Sequence, residues 1–497
     1  MKRRDALLFA SLAAVALSVA LRPGVLGALG VVGGVWALEA WWRARSLRES
    51  LVVAYLVALA PASVVMGAYA PVSPAVALLG TLIVAGSFLV VGWMAWGTRR
   101  RPAALAWWVG VSWTAVEFAW RVPASWGSWG LPFMTLGSVW VEGAAREVFA
   151  WGGPRGATVL LWLVAGLVFT AWRWHARGRW LAGVVLGLAV WLAVPSDGGW
   201  IDGPRVDGSE VAASGMGGGG RTVLPVRIVQ HAPTPVEMAA ARFDPVAEGF
   251  HQDVLRFRSE GAGVEGRLVV WPEASLPRPW RVGSDTPAWF PRDSDVLLGA
   301  AFERHGEVGN GALLWRDGML SVVQEKRRLV PWVERDVARG TVQPPFSWGG
   351  VKVAPVLCFE ALFPGFMRQL AQADADVLVV LANDAYAGGS TVPGLHVRAA
   401  RMRAVESGLP VVFVQATGPS AVVDAWGRVV ASTRHGLVAS LDVDVPLVER
   451  VTPFRRWGDG VGVTAFAWWV LGIVARGLGL GVGRGLKGGE ADGVVIG

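Results

Sequence analysis

The chain is 497 residues long, 53% hydrophobic and 17% charged, with 29 Trp and a formal net charge of +8. A mean hydropathy of +0.44 excludes an ordinary soluble globule, and the basic residues flank apolar runs instead of forming a nucleic-acid face, so no nucleic-acid partner is expected. The one cysteine, Cys358, excludes an intramolecular disulfide and leaves any thiol chemistry to a single residue.

In chain order, apolar stretches run from Ala6 to Leu21, Val25 to Trp42, Leu51 to Tyr69, Ala75 to Trp96, Ala103 to Trp120, Gly156 to Trp172 and Leu181 to Val194. With a last one from Val461 to Ala475, these make about eight spans. The opening MKRRDALLFA reads as the start of a first helix and not as a cleaved signal, since further spans follow at once and no small-residue cleavage site appears. Alternate connections carry Arg43, Arg45 and Arg48, then Arg99 to Arg101, then Arg173, Arg177 and Arg179, whereas the intervening ones are poorer in basic residues. The positive-inside rule therefore predicts cytoplasmic termini and places the block between Val194 and Val461 outside. Glu117 falls inside a span, where an acid should face protein or water, with Arg121 one turn on as a candidate partner. WGSWGLPF, Trp126 to Phe133, belongs to the outer boundary, either as an interfacial Trp cluster or as a contact between the outer domain and lipid.

The expected organisation is a transmembrane helical domain over 1–195, a Gly-rich linker over 196–222, a catalytic α/β domain over 223–455, and a final span with a cytoplasmic tail over 456–497. Within the outer domain, strands are expected at Val226 to Val229, Leu268 to Trp271, Val296 to Gly299, Val351 to Leu357, Val377 to Ala382 and Val411 to Val414. Helices are expected at Pro235 to Phe257, Phe363 to Ala373 and His396 to Ser407.

Three strand ends carry polar residues that an apolar core would not select. RLVVWPEASLP presents Glu273 after a proline break, VQEKRRLVPWVE supplies Lys326 and Glu334, and APVLCFEALFP supplies Cys358. A thiol of ordinary pKa, about 8.5, is mostly protonated at neutral pH, so a nucleophilic cysteine needs a base or a nearby cation. Glu273 suits the base. Lys326 and the backbone N–H of Phe359 suit stabilisation of a developing oxyanion. His231, His251, His305, His396 and His435 stand in no Cys-proteinase-like sequence context, which favours Glu over His as the partner.

Glu in WPE, Lys in K-x-x-LVP-x-x-E and Cys in C-x-E follow the order seen in the nitrilase, or carbon-nitrogen hydrolase, superfamily, and the spans on both sides resemble its membrane branch, the apolipoprotein N-acyltransferases. The resemblance implies an αββα sandwich beside a multi-span α-helical membrane domain. It also implies a catalytic set of Glu273, Lys326 and Cys358, with Glu334, Phe359, Glu360 and Tyr386 as accessory positions and no metal or cofactor. By the same resemblance the enzyme moves an acyl chain from a phospholipid to the diacylglyceryl-cysteine amine of an apolipoprotein. It would do so as a monomer in the bacterial inner membrane, with the catalytic domain on the outer side. A tethered amidohydrolase, in which water resolves the thioester, and a non-catalytic receptor or transporter are the competing readings. The sequence departs from the family pattern at Gln230 to Ala232, Phe359, Tyr386 to Ala387 and Ala416 to Gly418, so donor or acceptor preference is open.

Overall fold

A computed structural model describes residues 3–22, 27–70, 73–120, 135–173, 176–193, 205–206, 212–213 and 223–478, apart from 262, 286, 332, 388–389, 391 and 449. WGSWGLPF and Arg121 lie outside the described residues, as does the chain beyond Leu478.

Among the described residues all eight apolar stretches form helices. The helices are Arg3–Ala20, Ala28–Arg43, Leu47–Met66, Pro74–Ser87 continued by Leu89–Thr98, Pro102–Ala119, Val148–Arg173, Ala176–Ala193 and Gly460–Gly477. Among the described residues four are long and apolar enough to cross a membrane: Leu47–Met66, Pro74–Thr98, Ala144–Arg173 and Gly460–Gly477. Two departures from unbroken spans have local causes. The fourth stretch is interrupted at Phe88, which ends one helix and starts the next. The sixth begins earlier than its hydropathy suggests and kinks at Gly153 (φ 58°) before Pro154. Phe454 packs there, and a Cβ at Gly153 would lie 2.1 Å from its ring.

Glu117 is 1% exposed. It accepts from Trp113 Nε1 (3.1 Å), the Leu136 N–H (3.0 Å) and Thr158 Oγ1 (2.8 Å), so it ties two helices to the turn that follows Thr135. Its role is to cross-link the bundle, as expected of an acid that must face protein.

Beyond helix Ala176–Ala193 the chain builds two sheets. One orders Arg205–Val206, Val429–Thr433, Ala421–Val423, Val411–Gln415, Val377–Ala382, Val351–Leu357 and Phe346–Trp348. Its centre is parallel, with Leu357 beside Leu381 and Ala382 beside Gln415. The other orders Ala212–Ala213, Ala439–Pro446, Val223–Gln230, Leu268–Val270, Val296–Arg304, Glu307–Arg316 and Met319–Glu325, with Trp280–Arg281 beside Val296–Arg304. Two dipeptides of the Gly-rich stretch thus attach to the sheet edges, although its composition predicts no packing.

Period-two alternation decides how the sheets stack. Val226, Ile228 and Leu441 of one sheet meet Val353, Val379 and Val412 of the other in a shared dry layer. The opposite faces are covered by helices. Leu255 of Pro245–Ser259 packs with Val229, Val269 and Trp271, while Pro364–Gln372 and Val392–Ser407 pack with Val356, Val380 and Phe413. The result is an αββα sandwich beside a membrane-type helical domain. The helix expected over Pro235 to Phe257 is in fact two, Pro235–Ala240 and Pro245–Ser259. Asp244 caps the second by accepting from the Val246 N–H, and Pro245 has no N–H with which to continue the first.

Helix Val392–Ser407 joins the two parts. It is buried along almost its whole length, and its core is continuous with that of the membrane helices. Arg398 donates to the Leu21 (2.7 Å) and Arg22 (3.0 Å) carbonyls at the end of the first helix and pairs with Glu142 at 3.0 Å.

Candidate active site

Strand Val351–Leu357 ends in a single 3-10 turn, Cys358–Leu362. Cys358 sits there at φ +44°, a left-handed conformation that an L-residue adopts at a cost of roughly 1–2 kcal/mol. Glu360 holds the turn. Its Oε2 accepts from the Leu357 N–H (3.1 Å), and its Oε1 accepts from the N–H groups of Arg327 (2.8 Å) and Arg328 (3.0 Å). One carboxylate, 0% exposed, therefore locks the cysteine turn to the loop after Lys326. Burial pushes its pKa up to about 7 against the pull of those three donors.

Lys326 follows strand Met319–Glu325 and is 1% exposed. Its Nζ donates to Glu273 Oε1 at 2.8 Å and to Glu334 Oε1 at 2.9 Å. Asn310 Nδ2 donates to the same two oxygens at 2.9 and 2.8 Å, so the carboxylates are bridged twice. The Val330 N–H fixes the other oxygen of Glu334 at 2.7 Å. Burial pulls the Lys326 pKa down, but the adjacent Glu273 and Glu334 carboxylates outweigh it and hold the ammonium charged well above its ordinary value. Glu273 is placed by backbone crowding. A Cβ at Gly299 on the neighbouring strand would lie 2.6 Å from Glu273 Cα, and Ala274 turns the chain at φ +61°.

Glu273, Lys326, Glu334, Cys358, Phe359 and Tyr386 all line one cavity of about 930 Å³, which Tyr69, just beyond helix Leu47–Met66, also lines. Of the seven positions proposed from the sequence only Glu360 lies behind the wall. The Cys358 thiol is pushed well above its ordinary pKa, first by burial and then by Glu273, with Lys326 and a hydrogen bond from the Asn383 backbone working against both. At rest it is a thiol, not a thiolate.

Sequence reading misses four contributors. Asn310 is a lone polar residue in a β run, and Gly299 is a small one; neither spacing signals a site. Asp384 and His396 are 12 positions apart, yet His396 Nδ1 lies 2.7 Å from Asp384 Oδ2. Because Asp384 follows the strand beside that of Cys358, the thiol, carboxylate and imidazole fall within 4.8 Å of one another, all buried. The sequence context of His396 gives no sign of this proximity, because the parallel pairing and helix Val392–Ser407 deliver it there. Thiol, imidazole and carboxylate are donors that suit zinc, but Asp384 Oδ2 already accepts from His396 Nδ1 and Gln415 Nε2. The observed arrangement is a hydrogen-bonded dyad.

The carbon-nitrogen hydrolase family matches residues 294–451, a segment that contains Lys326, Cys358 and the dyad. That segment is of the carbon-nitrogen hydrolase family. The likeness of the chain extends into the membrane helices. The chain is 27% identical over 426 residues to the apolipoprotein N-acyltransferase of Azotobacter vinelandii, covering 76% of each chain. To that of Caulobacter vibrioides it is 28% identical over 455 residues, covering 77% of this chain and 80% of the relative. Among solved structures, the amidase of Nesterenkonia sp. AN1 aligns at 20% identity with a TM-score of 0.36, over 47% of this chain and 94% of the amidase.

Proposed function

We propose that the protein is a membrane-embedded N-acyltransferase that moves a fatty acyl chain from a phospholipid to the N-terminal diacylglyceryl-cysteine amine of apolipoproteins. The observation that carries this reading is the shared cavity. Cys358 and the Glu273–Lys326–Glu334 cluster open onto a space that Tyr69, at the end of a membrane-length helix, also walls. A lipid ester reaches such a space from the bilayer, and the curated relatives carry the matching name over most of their length.

Glu273 takes the Cys358 proton as sulfur attacks the ester carbonyl. The Lys326 ammonium stabilises the oxyanion, and the lysophospholipid leaves as an alcohol with the proton returned by Glu273. The acyl chain then rests on sulfur as a thioester, which the acceptor amine opens. Glu334 shares Lys326 with Glu273 and holds it in place. Phe359 offers its backbone N–H just past the nucleophile, Glu360 sets the turn, and Tyr386 borders the acceptor's path. The reaction belongs on the outer face of the inner membrane, with both chain termini in the cytoplasm.

The test is mass spectrometry of the intact enzyme incubated with phospholipid alone. One acyl mass on Cys358 is expected, with release on adding a diacylglyceryl-cysteine peptide. No adduct in the wild type removes the reading, and release as free fatty acid without any acceptor makes the enzyme a hydrolase.

A further inference from the structure

Opening a thioester with an amine poses a proton problem that Glu273 alone does not solve. An α-amine has a pKa near 7.7–8.0, so the acceptor arrives mostly as an ammonium and must lose one proton before attack and a second as the amide forms. Glu273 has one carboxylate, already bridged to Lys326 and Asn310, and the second proton needs a second acceptor. The described structure has a buried titratable pair at the same sulfur that the first half-reaction leaves unused. His396 lines the cavity and is 3% exposed. Its Nδ1 faces Asp384 Oδ2 at 2.7 Å. A carboxylate only accepts, so Nδ1 carries the ring proton and Nε2 is the proton-binding nitrogen. Asp384 is held in turn, its Oδ2 by Gln415 Nε2 and its N–H by Gln415 Oε1 at 3.1 Å.

We propose that the Asp384–His396 dyad is the proton acceptor for the acceptor amine, acting in the transfer half-reaction and not in the acylation of Cys358. This rests on the acyltransferase reading. His396 takes one proton from R–NH3+. The freed lone pair forms the C–N bond while the carbonyl π pair moves to oxygen beside Lys326. Collapse breaks the C–S bond and sulfur leaves with the pair. Glu273 carries the remaining nitrogen proton to sulfur, restoring the Cys358 thiol, and His396 gives its proton to water. One ammonium and one thioester become one amide, one thiol and one released proton.

The experiment uses the full-length enzyme in detergent with a phospholipid donor, following acylation of Cys358 and then its discharge in a single turnover. Two nucleophiles are compared: a diacylglyceryl-cysteine peptide, and hydroxylamine, which is already neutral near neutral pH and needs no prior deprotonation. His396→Gln is expected to acylate at a rate close to wild type and to accumulate acyl-enzyme. Its discharge to the peptide should slow by about 10²-fold or more, while discharge to hydroxylamine stays near the wild-type rate. Asp384→Asn forces the opposite tautomer and should show the same split in milder form. Equal slowing of acylation and transfer, or of both nucleophiles, makes the dyad structural and overturns the proposal, as does normal transfer to the peptide. Should His396→Gln fail to fold, Asp384→Asn decides by the same split. A wild type that forms no acyl-enzyme removes the acyltransferase reading itself, an outcome distinct from any of these.

Discussion

At the residue scale, the cysteine is poised by what it lacks. A thiol held well above its ordinary pKa by burial and by Glu273 cannot store a thiolate at neutral pH, so its activation must coincide with attack. Alkylation by iodoacetamide should therefore be slow at neutral pH and keep rising with no plateau beyond the ordinary thiol pKa of about 8.5. Lys326→Met removes the cation that lowers this pKa and should slow alkylation further. A plateau below neutral pH would establish a resting thiolate and contradict the concerted step. Gly299 gives a second test. Its Ala variant must push Glu273 away, since the added Cβ meets Glu273 Cα at 2.6 Å, and a misplaced base should lower acylation by roughly 10²-fold with substrate affinity little changed. Glu273, Lys326 and Cys358 can be picked out in the sequence because each follows an apolar strand, Glu273 after Pro272, Lys326 between Glu325 and Arg327, and Cys358 two positions before Glu360. Asn310, Gly299 and the Asp384–His396 pair cannot, because their proximity to the thiol is created by strand register and not by spacing.

At the element scale, helix Val392–Ser407 does two jobs from two faces. His396 lines the cavity beside Cys358, while Arg398 donates to the end of the first helix and Arg403 donates to the Leu362 carbonyl, at the end of the cysteine turn, at 3.1 Å. A sequence reading finds this helix but starts it at His396, one turn late, and cannot see its burial, since three arginines within six residues look like a solvated face. In the structure Arg398, Arg401 and Arg403 are each at most 2% exposed. Arg398→Ala should destabilise the fold by about 3–5 kcal/mol, because it withdraws the buried cation opposite Glu142 along with donors to two chain-end carbonyls. The check is a thermal melt in detergent. Arg398→Lys should recover little, as one ammonium cannot reproduce a planar fork reaching Glu142, Leu21 and Arg22 together. A melt unchanged by the alanine variant would mean that the Arg398 contacts do not hold the helical and sandwich parts together, leaving that to apolar packing and to pairs such as Arg450 with Glu147. The break in the Pro235 to Phe257 helix, by contrast, is written in the sequence: Asp244 followed by Pro245 is the cap and first residue of a new helix, and apolar spacing on either side masks it.

At the scale of the whole molecule, seven apolar helical segments precede the sandwich and one follows it among the described residues, four of them long and apolar enough to cross a membrane; were all eight to cross, both termini would lie on one side and the sandwich on the other. Hydropathy places these apolar segments, whereas the kink at Gly153 depends on packing against Phe454. Parity does not choose the side; charge does. In the orientation proposed above, Arg43, Arg45 and Arg48, Arg99 to Arg101 and the Arg173 to Arg179 segment would share the side of the termini, and retaining such clusters in the cytoplasm would send the cavity to the outer face. Because Cys358 is the only cysteine, a Cys358→Ala background gives a clean reporter. Ser284→Cys marks an exposed turn of the sandwich, and Gly477→Cys marks the end of the last helix, where an added Cβ meets nothing. In intact cells an impermeant maleimide should label position 284 strongly and position 477 only after the membrane is permeabilised. The reverse pattern would put the cavity in the cytoplasm, away from exported lipoproteins, and would leave the thioester to be opened by a cytosolic acceptor or by water.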